Sequence, residues 1–382
     1  MLLHRQIQPW VSGQMLSQGY YATTNWVAKT VTGASDRYVV QGPEFCALDV
    51  GGQTHKWETA PSLDLSSSAS WDTTSPTDYT SAATRAGKDF YIYACQSETA
   101  APTILLSANA TYPSGYTADD SRKIGGFHCL CVSVGTIADH PLSDYVAGDI
   151  LPDTVWDLWW RADSGSNVGL TYSSKLNEWA SIYLMSGTAG APTILNGGTI
   201  LDTITWFNAA SAAALLNMRL PKDYEFQVFA AGTPEAVNIT GSADPVTTTG
   251  HISTGSVRMI SSIGCEDCAG VIWQWLDEQS YRFDAATAHT HSVTLDGGVQ
   301  ASVTSGNASA DVAPVFGYKA QTGGKGSLYT QGAHGMVKLR AGGNWSDGAA
   351  CGSRSRSAPN PPWDAPATIG FRAVCGHIRR CM

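Results

Sequence analysis

Leu339-Arg340-Ala341-Gly342-Gly343-Asn344-Trp345 and Ile369-Gly370-Phe371-Arg372-Ala373-Val374-Cys375 are two apolar runs rich in β-formers, and they bracket a segment with no hydrophobic period. Neither 346–350 nor 357–368 alternates as a strand or repeats as a helix. Pro359, Pro361, Pro362 and Pro366 forbid a regular ladder there. A polar, irregular segment held between strand-like ends is how a rigid scaffold presents a contact surface. Gly342-Gly343 permits close approach of neighbouring backbone. The nearby tryptophans supply apolar area to hold irregular loops down.

Working outward, the chain has 382 residues, enough for two or three domains with real cores. Only 14% of residues are charged and 39 are glycine, which suits a β-rich, loop-rich extracellular or virion protein. The net charge of −9 argues against nucleic-acid binding, which rests on phosphate neutralisation. Arginines cluster toward the C-terminus, and in a loop-rich domain they are expected to cap backbone carbonyls rather than hold an anion. No apolar run is long enough to span a bilayer, and Met1-Leu2-Leu3 passes directly into His4-Arg5-Gln6 without the apolar core of a signal peptide. Synthesis in the cytoplasm without membrane insertion is therefore expected.

Cysteine usage adds little chemistry. Cys95, Cys129 and Cys131 sit in strand-like runs and read as buried thiols. Cys265-Glu266-Asp267-Cys268 has half of a zinc-site spacing, but no second pair completes it. No metal or other cofactor is expected.

Residues 1–150 read as an all-β, sandwich-like module, with strands at Asp89–Cys95, Thr103–Leu106 and Arg122–Cys129. The run Leu151–Trp160 marks the crossing into a second domain, 151–382, whose working segment is about 339–378. Thr205–Leu216 is alanine- and leucine-rich and predicts a helix. Arg219–Ala230 predicts a second, with Pro221 at its first position, Tyr224, Phe226, Val228 and Phe229 in the core, and Gly232 ending it. Val257–Ile260 reads as a short strand, and Trp273 and Trp275 share one strand face by period two.

The ordered set Arg219-Leu220-Pro221, Glu225-Phe226, Gly270-Val271-Ile272-Trp273-Gln274-Trp275, Arg340-Ala341-Gly342-Gly343-Asn344-Trp345, Arg354 and Gly370-Phe371-Arg372 resembles the C-type lectin fold of the formylglycine-generating-enzyme-like branch. Tyr112-Pro113-Ser114-Gly115-Tyr116 and Ser121–His128 narrow the resemblance to the tropism-determining receptor-binding proteins of phage tail fibres, the variable proteins of diversity-generating retroelements. It covers roughly 85–382. The resemblance implies an α+β chain, a C-type lectin-like ligand-binding domain behind an all-β module. It implies adenine-directed diversification of a strip facing a protein or glycan receptor on a target cell, on a virion and displayed as a homotrimer. The implied variable positions, all reachable from asparagine codons, are Asn344, Ser346, Asp347, Ala350, Ser357, Pro359, Asn360, Asp364, Pro366 and Thr368. The implied framework is Trp273, Trp275, Gly342, Gly343, Trp345, Arg354, Trp363, Gly370, Phe371 and Arg372, with Trp345 and Trp363 suited to it because neither is reachable from an asparagine codon.

The same fold hosts oxidases and iron-dependent synthases. An oxidase would need a pair of cysteines before Gly370-Phe371-Arg372, yet Cys351 stands alone, with Arg356 about where a second thiol would fall. A synthase would need a metal set, for which His289 and His291 are the nearest candidates and lack a helix-spaced partner. A non-binding structural tail component is the third reading. The sequence favours a binder, with no catalytic residues.

Overall fold

The computed structural model describes residues 19–98, 101–282, 291–294, 300–303, 307–309, 327–329, 335–357 and 360–378. The chain is mostly short strands with few helices. In the N-terminal part, Tyr20–Ala22, Cys46–Val50 and Gln53–Trp57 form one antiparallel sheet, and Val27–Ala28, Val39–Gln41 and Ser62–Asp64 a second. A third has the order Trp156–Asp157, Ser121–His128, Asp89–Cys95, Thr103–Ser107. Strands as apolar as Asp89–Cys95, buried along most of their length, need cover on both faces. They find it in one core that includes Trp26, Trp57, Trp71, Phe90, Ile92 and Phe127.

Between Cys129 and Leu130 the chain passes from that core into a larger one, which extends to Cys375. It then returns, because Ile150 and Val155 belong to the first core and Trp156 pairs with Gly126. Within 151–160, Trp156–Asp157 is a short strand of the N-terminal sheet, while Leu151 packs in the larger core. The cores are stitched together by polar contacts. His128 Nδ1 lies 3.1 Å from Asp89 Oδ1 and its Nε2 2.9 Å from the Tyr183 hydroxyl, while Gly169 N–H donates to Asp89 Oδ1 at 3.0 Å.

Among the described residues the C-terminal part has two larger sheets and two two-stranded ones. One of the larger sheets runs Arg161–Ala162, Val374–Ile378, Glu178–Ser181, Leu170–Ser173. The other places Gly352–Ser357, Gly335–Gly342, Trp273–Arg282 and Ile369–Gly370 side by side, with Asn307–Ser309 and Ser327–Tyr329 beyond them. The helix Trp206–Leu215 begins as alanine content and a capping threonine require: Thr205 Oγ1 accepts the Asn208 N–H at 3.2 Å, and Ala209, Ala212 and Ala213 are buried.

The second helix differs from expectation. It spans Asp223–Phe229, because Arg219 is taken by main-chain bonds to Val374 in both directions, at 2.9 and 2.8 Å. Pro221 therefore precedes the helix, and the Glu225 carboxylate caps it by accepting the Lys222 N–H at 2.7 Å. Phe226 and Phe229 are buried as expected, whereas Tyr224 is 55% exposed. Val257–Ile260 forms only isolated bridges, Arg258 to Ile252 and Ile260 to Glu266.

Candidate functional site

The segment between the two C-terminal strand-like runs starts where Gly342 and Gly343 turn out of strand Gly335–Gly342. Both have positive φ, and a Cβ on Gly342 would lie 2.5 Å from the Cys268 carbonyl oxygen, so only glycine fits. From there 344–350 loops, Gly352–Ser357 returns as a strand with Ser357 opposite Arg340, and 360–368 loops again before Ile369–Gly370. Val271 pairs with Asn344 on one side, while Trp273 pairs with Ile369 on the other. The two loops thus flank the start of one strand, about two strand spacings apart, or roughly 10 Å.

Both loops are fixed largely through their main chains. Lys338 N–H donates to Asn360 O at 3.1 Å, Trp206 N–H to Pro362 O at 2.9 Å, and Trp273 N–H to Thr368 O at 2.9 Å. Asp364 N–H closes a turn on Pro361 O and Ile369 N–H one on Pro366 O. In the first loop Ala350 N–H reaches Asp347 O and Cys351 N–H reaches Gly348 O. Bonds between backbone groups ask nothing of the side chains above them.

The positions expected to face a ligand do not all behave alike. Ser346 is exposed, and Asp347, Ala350, Asn360, Asp364, Pro366 and Thr368 are half-buried. Pro359 lies outside the described residues. Asn344 and Ser357 are corrections, at 7% and 1% exposure. Asn344 Oδ1 accepts from Ser346 N–H at 2.7 Å and from its hydroxyl at 2.8 Å, and Asp347 Oδ2 accepts the Asn344 N–H at 2.9 Å. Asn344 therefore builds the turn instead of displaying itself. Ser357 lies in the sheet, inside its pairing with Arg340, and its hydroxyl is buried with no hydrogen-bond partner among the described residues.

The framework residues are mostly where the sequence puts them. Trp273, Trp275, Gly342, Gly343, Gly370, Phe371 and Arg372 are buried and Arg354 is half-buried. Trp275 Nε1–H donates to Ile204 O at 2.9 Å. Trp345 is half-buried against Leu184, Ile200, Ile239, Met259, Val271 and Ile272, which makes it a lid on an apolar cluster. Trp363 is the exception, 62% exposed. Its neighbour Pro362 is buried and its carbonyl accepts the Trp206 N–H at 2.9 Å, while the indole stays outside.

Two buried arginines that the sequence reading did not join to one network hold the strip from below. The Arg372 guanidinium donates to the carbonyls of Ser181, Ile182 and Glu266 and to Gln274 Oε1. Arg356 donates from Nε to Asp223 Oδ1 and from Nη1 to the carbonyls of Ser353 and Ser355, at 3.0 and 2.7 Å, and its guanidinium lies 5.0 Å from the centre of the Phe226 ring. These arginines cap carbonyls, as the composition of the C-terminal region suggested. Nothing in the spacing of Arg356 and Asp223 foretold their pairing, since 133 residues separate them.

Beside Arg372 lies a second polar knot. Arg258 Nη2 donates to both Glu266 oxygens, at 2.7 and 2.8 Å, and its Nη1 to the His251 carbonyl at 2.7 Å. His251 Nδ1 faces Asp267 Oδ2 at 2.8 Å. Burial of the imidazole opposes its charge, but the Asp267 carboxylate outweighs burial and holds the pKa above the ordinary value. A raised folded-state pKa adds stability that is fully present below the unfolded value near 6.5 and lost as pH rises through the folded value. The difference in melting temperature between the native chain and His251→Gln should therefore be larger at pH 5.5 than at pH 8.5, read by calorimetry at both.

Chemistry of other kinds finds little footing in the described residues. Cys351 is buried with its Sγ 3.3 Å from Asn344 O, and burial pushes its thiol up to about 12, so it is no nucleophile at neutral pH. Cys265 and Cys268 are buried too, and among the described residues no group of three or more His, Cys, Asp or Glu could hold a metal ion. His289 lies outside the described residues, and of the His291 side chain nothing is described. No helix of the described residues is long and apolar enough to cross a membrane.

Residues 30–157 match the family model described as the Mtd second domain. The tail fiber receptor-binding protein of Bordetella phage BPP-1 is 27% identical over 330 residues, covering 80% of this chain and 75% of the relative. Among solved structures, the major tropism determinant U1 variant is 25% identical with a TM-score of 0.61, covering 93% of this chain and 84% of its own. The M1 variant, at 23% identity, has a TM-score of 0.65 with the same coverage. The chain thus resembles the major tropism determinant and shares its fold.

Proposed function

We propose that this chain is a receptor-binding protein of a phage tail fibre, carried on the virion, whose contact surface is the strip 344–368. The observation that carries the reading is the way the strip is held. Backbone bonds from Lys338, Trp206 and Trp273 and the buried Arg356 and Arg372 fix its path, while Ser346, Asp347, Ala350, Asn360, Asp364, Pro366 and Thr368 keep at least part of their surface in water. Side chains on such a path can change without moving it, as a protein diversified at those positions requires. The likeness to a tail fiber receptor-binding protein along most of the chain supports it.

The finer architecture belongs to the same proposal. We divide the chain near residue 150 into an all-β, sandwich-like module and a C-type lectin-like domain; most of each part packs in its own core, although Leu130, Val134, Leu142 and Tyr145 pack into the larger one. Binding rather than catalysis is the role of the second, consistent with the inert Cys351. A small surface of short polar side chains gives modest affinity per site, and display as a homotrimer raises avidity.

The test is adsorption of the purified full chain to a panel of bacterial strains. Joint substitution of Ser346, Ala350 and Thr368 should change which strains are bound, with a melting temperature within about 2 °C of native, since changes at surface positions fall within roughly ±0.5 kcal/mol each. An unchanged adsorption pattern would sink the assignment of the strip. The corrected positions should separate from these. Ser357→Ala is expected to be neutral or slightly stabilising, because it removes a buried hydroxyl with no partner among the described residues. Asn344→Ala is expected to lower stability by about 1–2 kcal/mol through loss of its turn bonds, measured by denaturant titration.

A further inference from the structure

Trp363 is a large apolar side chain left in solvent, 62% exposed, within a strip of short polar ones. The backbone on both sides of it is tied down, by Trp206 N–H to Pro362 O at 2.9 Å and Asp364 N–H to Pro361 O at 3.1 Å. An indole carried on a fixed backbone loses little freedom when a partner covers it, and tryptophan is among the residues that carry most of the energy in protein interfaces. The adjacent Pro362 is buried, whereas the indole stays in water.

We propose that Trp363 is the constant anchor of the binding surface and that its partner is an apolar patch on a folded protein. This rests on the binding role proposed above and names the chemistry of the partner. The groups beside the indole decide against a sugar. Sugar hydroxyls need polar groups aimed outward. Here Asp364 Oδ1 accepts the Ala365 N–H at 3.0 Å, Asp364 Oδ2 accepts from the Asn360 amide, and Asn360 Oδ1 is buried. The polar pair that flanks Trp363 is thus turned into its own loop. The rest of the flank, Pro361, Ala365, Pro366 and Ala367, is apolar and at least partly exposed. The surface continuous with the variable positions offers an aromatic disc with an apolar collar, and that fits an apolar protein surface. The variable side chains around it then set which protein is accepted.

The experiment displays the full chain on yeast, with Ser346, Asp347, Ala350 and Thr368 randomised, in two backgrounds: native and Trp363→Ala. Both libraries are gated for protease-resistant, folded molecules and selected against hen egg-white lysozyme and against yeast mannan. The native background should yield lysozyme binders about tenfold more often or better, the effect of losing roughly 1.4 kcal/mol from every complex. Mannan binders should be rare in both. Equal lysozyme yields from the two backgrounds, or mannan binding that depends on Trp363, would overturn the proposal while leaving the strip as the binding surface. No binders from either background would overturn the binding role itself. The mass of purified Trp363→Ala by light scattering should equal the native mass, and a smaller assembly would assign the indole to a contact between copies and overturn the proposal.

Discussion

Arg372→Ala should lower the stability of the chain by about 3–5 kcal/mol, seen as a fall of roughly 10 °C in melting temperature. The guanidinium is fully buried and satisfies the carbonyls of Ser181, Ile182 and Glu266 together with Gln274 Oε1. Truncation strands those acceptors away from water and leaves a void as large as the lost side chain. Arg372→Lys should recover little, because one ammonium cannot reach acceptors that a planar fork addresses from three nitrogens. Calorimetry on the three proteins measures the effect. A shift under 2 °C for the alanine variant would mean the carbonyls find other partners.

Arg356→Ala should be the second large effect, again about 3–5 kcal/mol. The buried Asp223 carboxylate would lose its ion pair with Arg356, and the carbonyls of Ser353 and Ser355 would lose the bonds from its guanidinium. The consequence differs from that at Arg372, because Arg356 ties strand Gly352–Ser357, between the two loops of the strip, to the helix Asp223–Phe229. Protease cleavage should therefore appear first within 344–368, before global unfolding, as expected when a local unit loses its attachment. A double change, Arg356→Met with Asp223→Leu, should restore much of the loss, since removing both charges removes the unpaired ion. Cleavage mapped by mass spectrometry checks the order of events.

Strand composition and the glycine pair were readable because local signals and tertiary structure agree there. Asp89–Cys95 is a strand with the bounds that its residues suggest, and the Gly342 φ is one that only glycine takes without strain. The second helix was displaced because a long-range contact won over a local one. Arg219 bonds to Val374, 155 residues away, and that pairing is invisible in the composition of 219–230. Trp363 misled for a different reason. Residue type favours burial of tryptophan over proline, but here Pro362 is buried and the indole is not, because the path of the loop and not residue type sets which side chain turns inward.

Asn344 shows the reverse case. The run Asn344-Trp345-Ser346-Asp347-Gly348 carries an asparagine able to bond its own backbone two residues on, so its buried, turn-building role was written in the residues. It read as a contact residue because small polar side chains serve both purposes. The buried ion pair of Arg356 and Asp223 had no such signal, since only the fold brings the two together.

The central claim is that the path of 344–368 does not depend on the side chains it displays. The direct measurement is a protease-resistance scan of the full chain in which each of Ser346, Ala350, Pro366, Thr368, Trp275, Arg356, Phe371 and Arg372 is replaced by every other residue. The account expects most substitutions at the first four to stay as resistant as the native chain and most at the last four to fall by a factor of ten or more, the change expected for roughly 1.4 kcal/mol. Overlapping distributions for the two groups would contradict it.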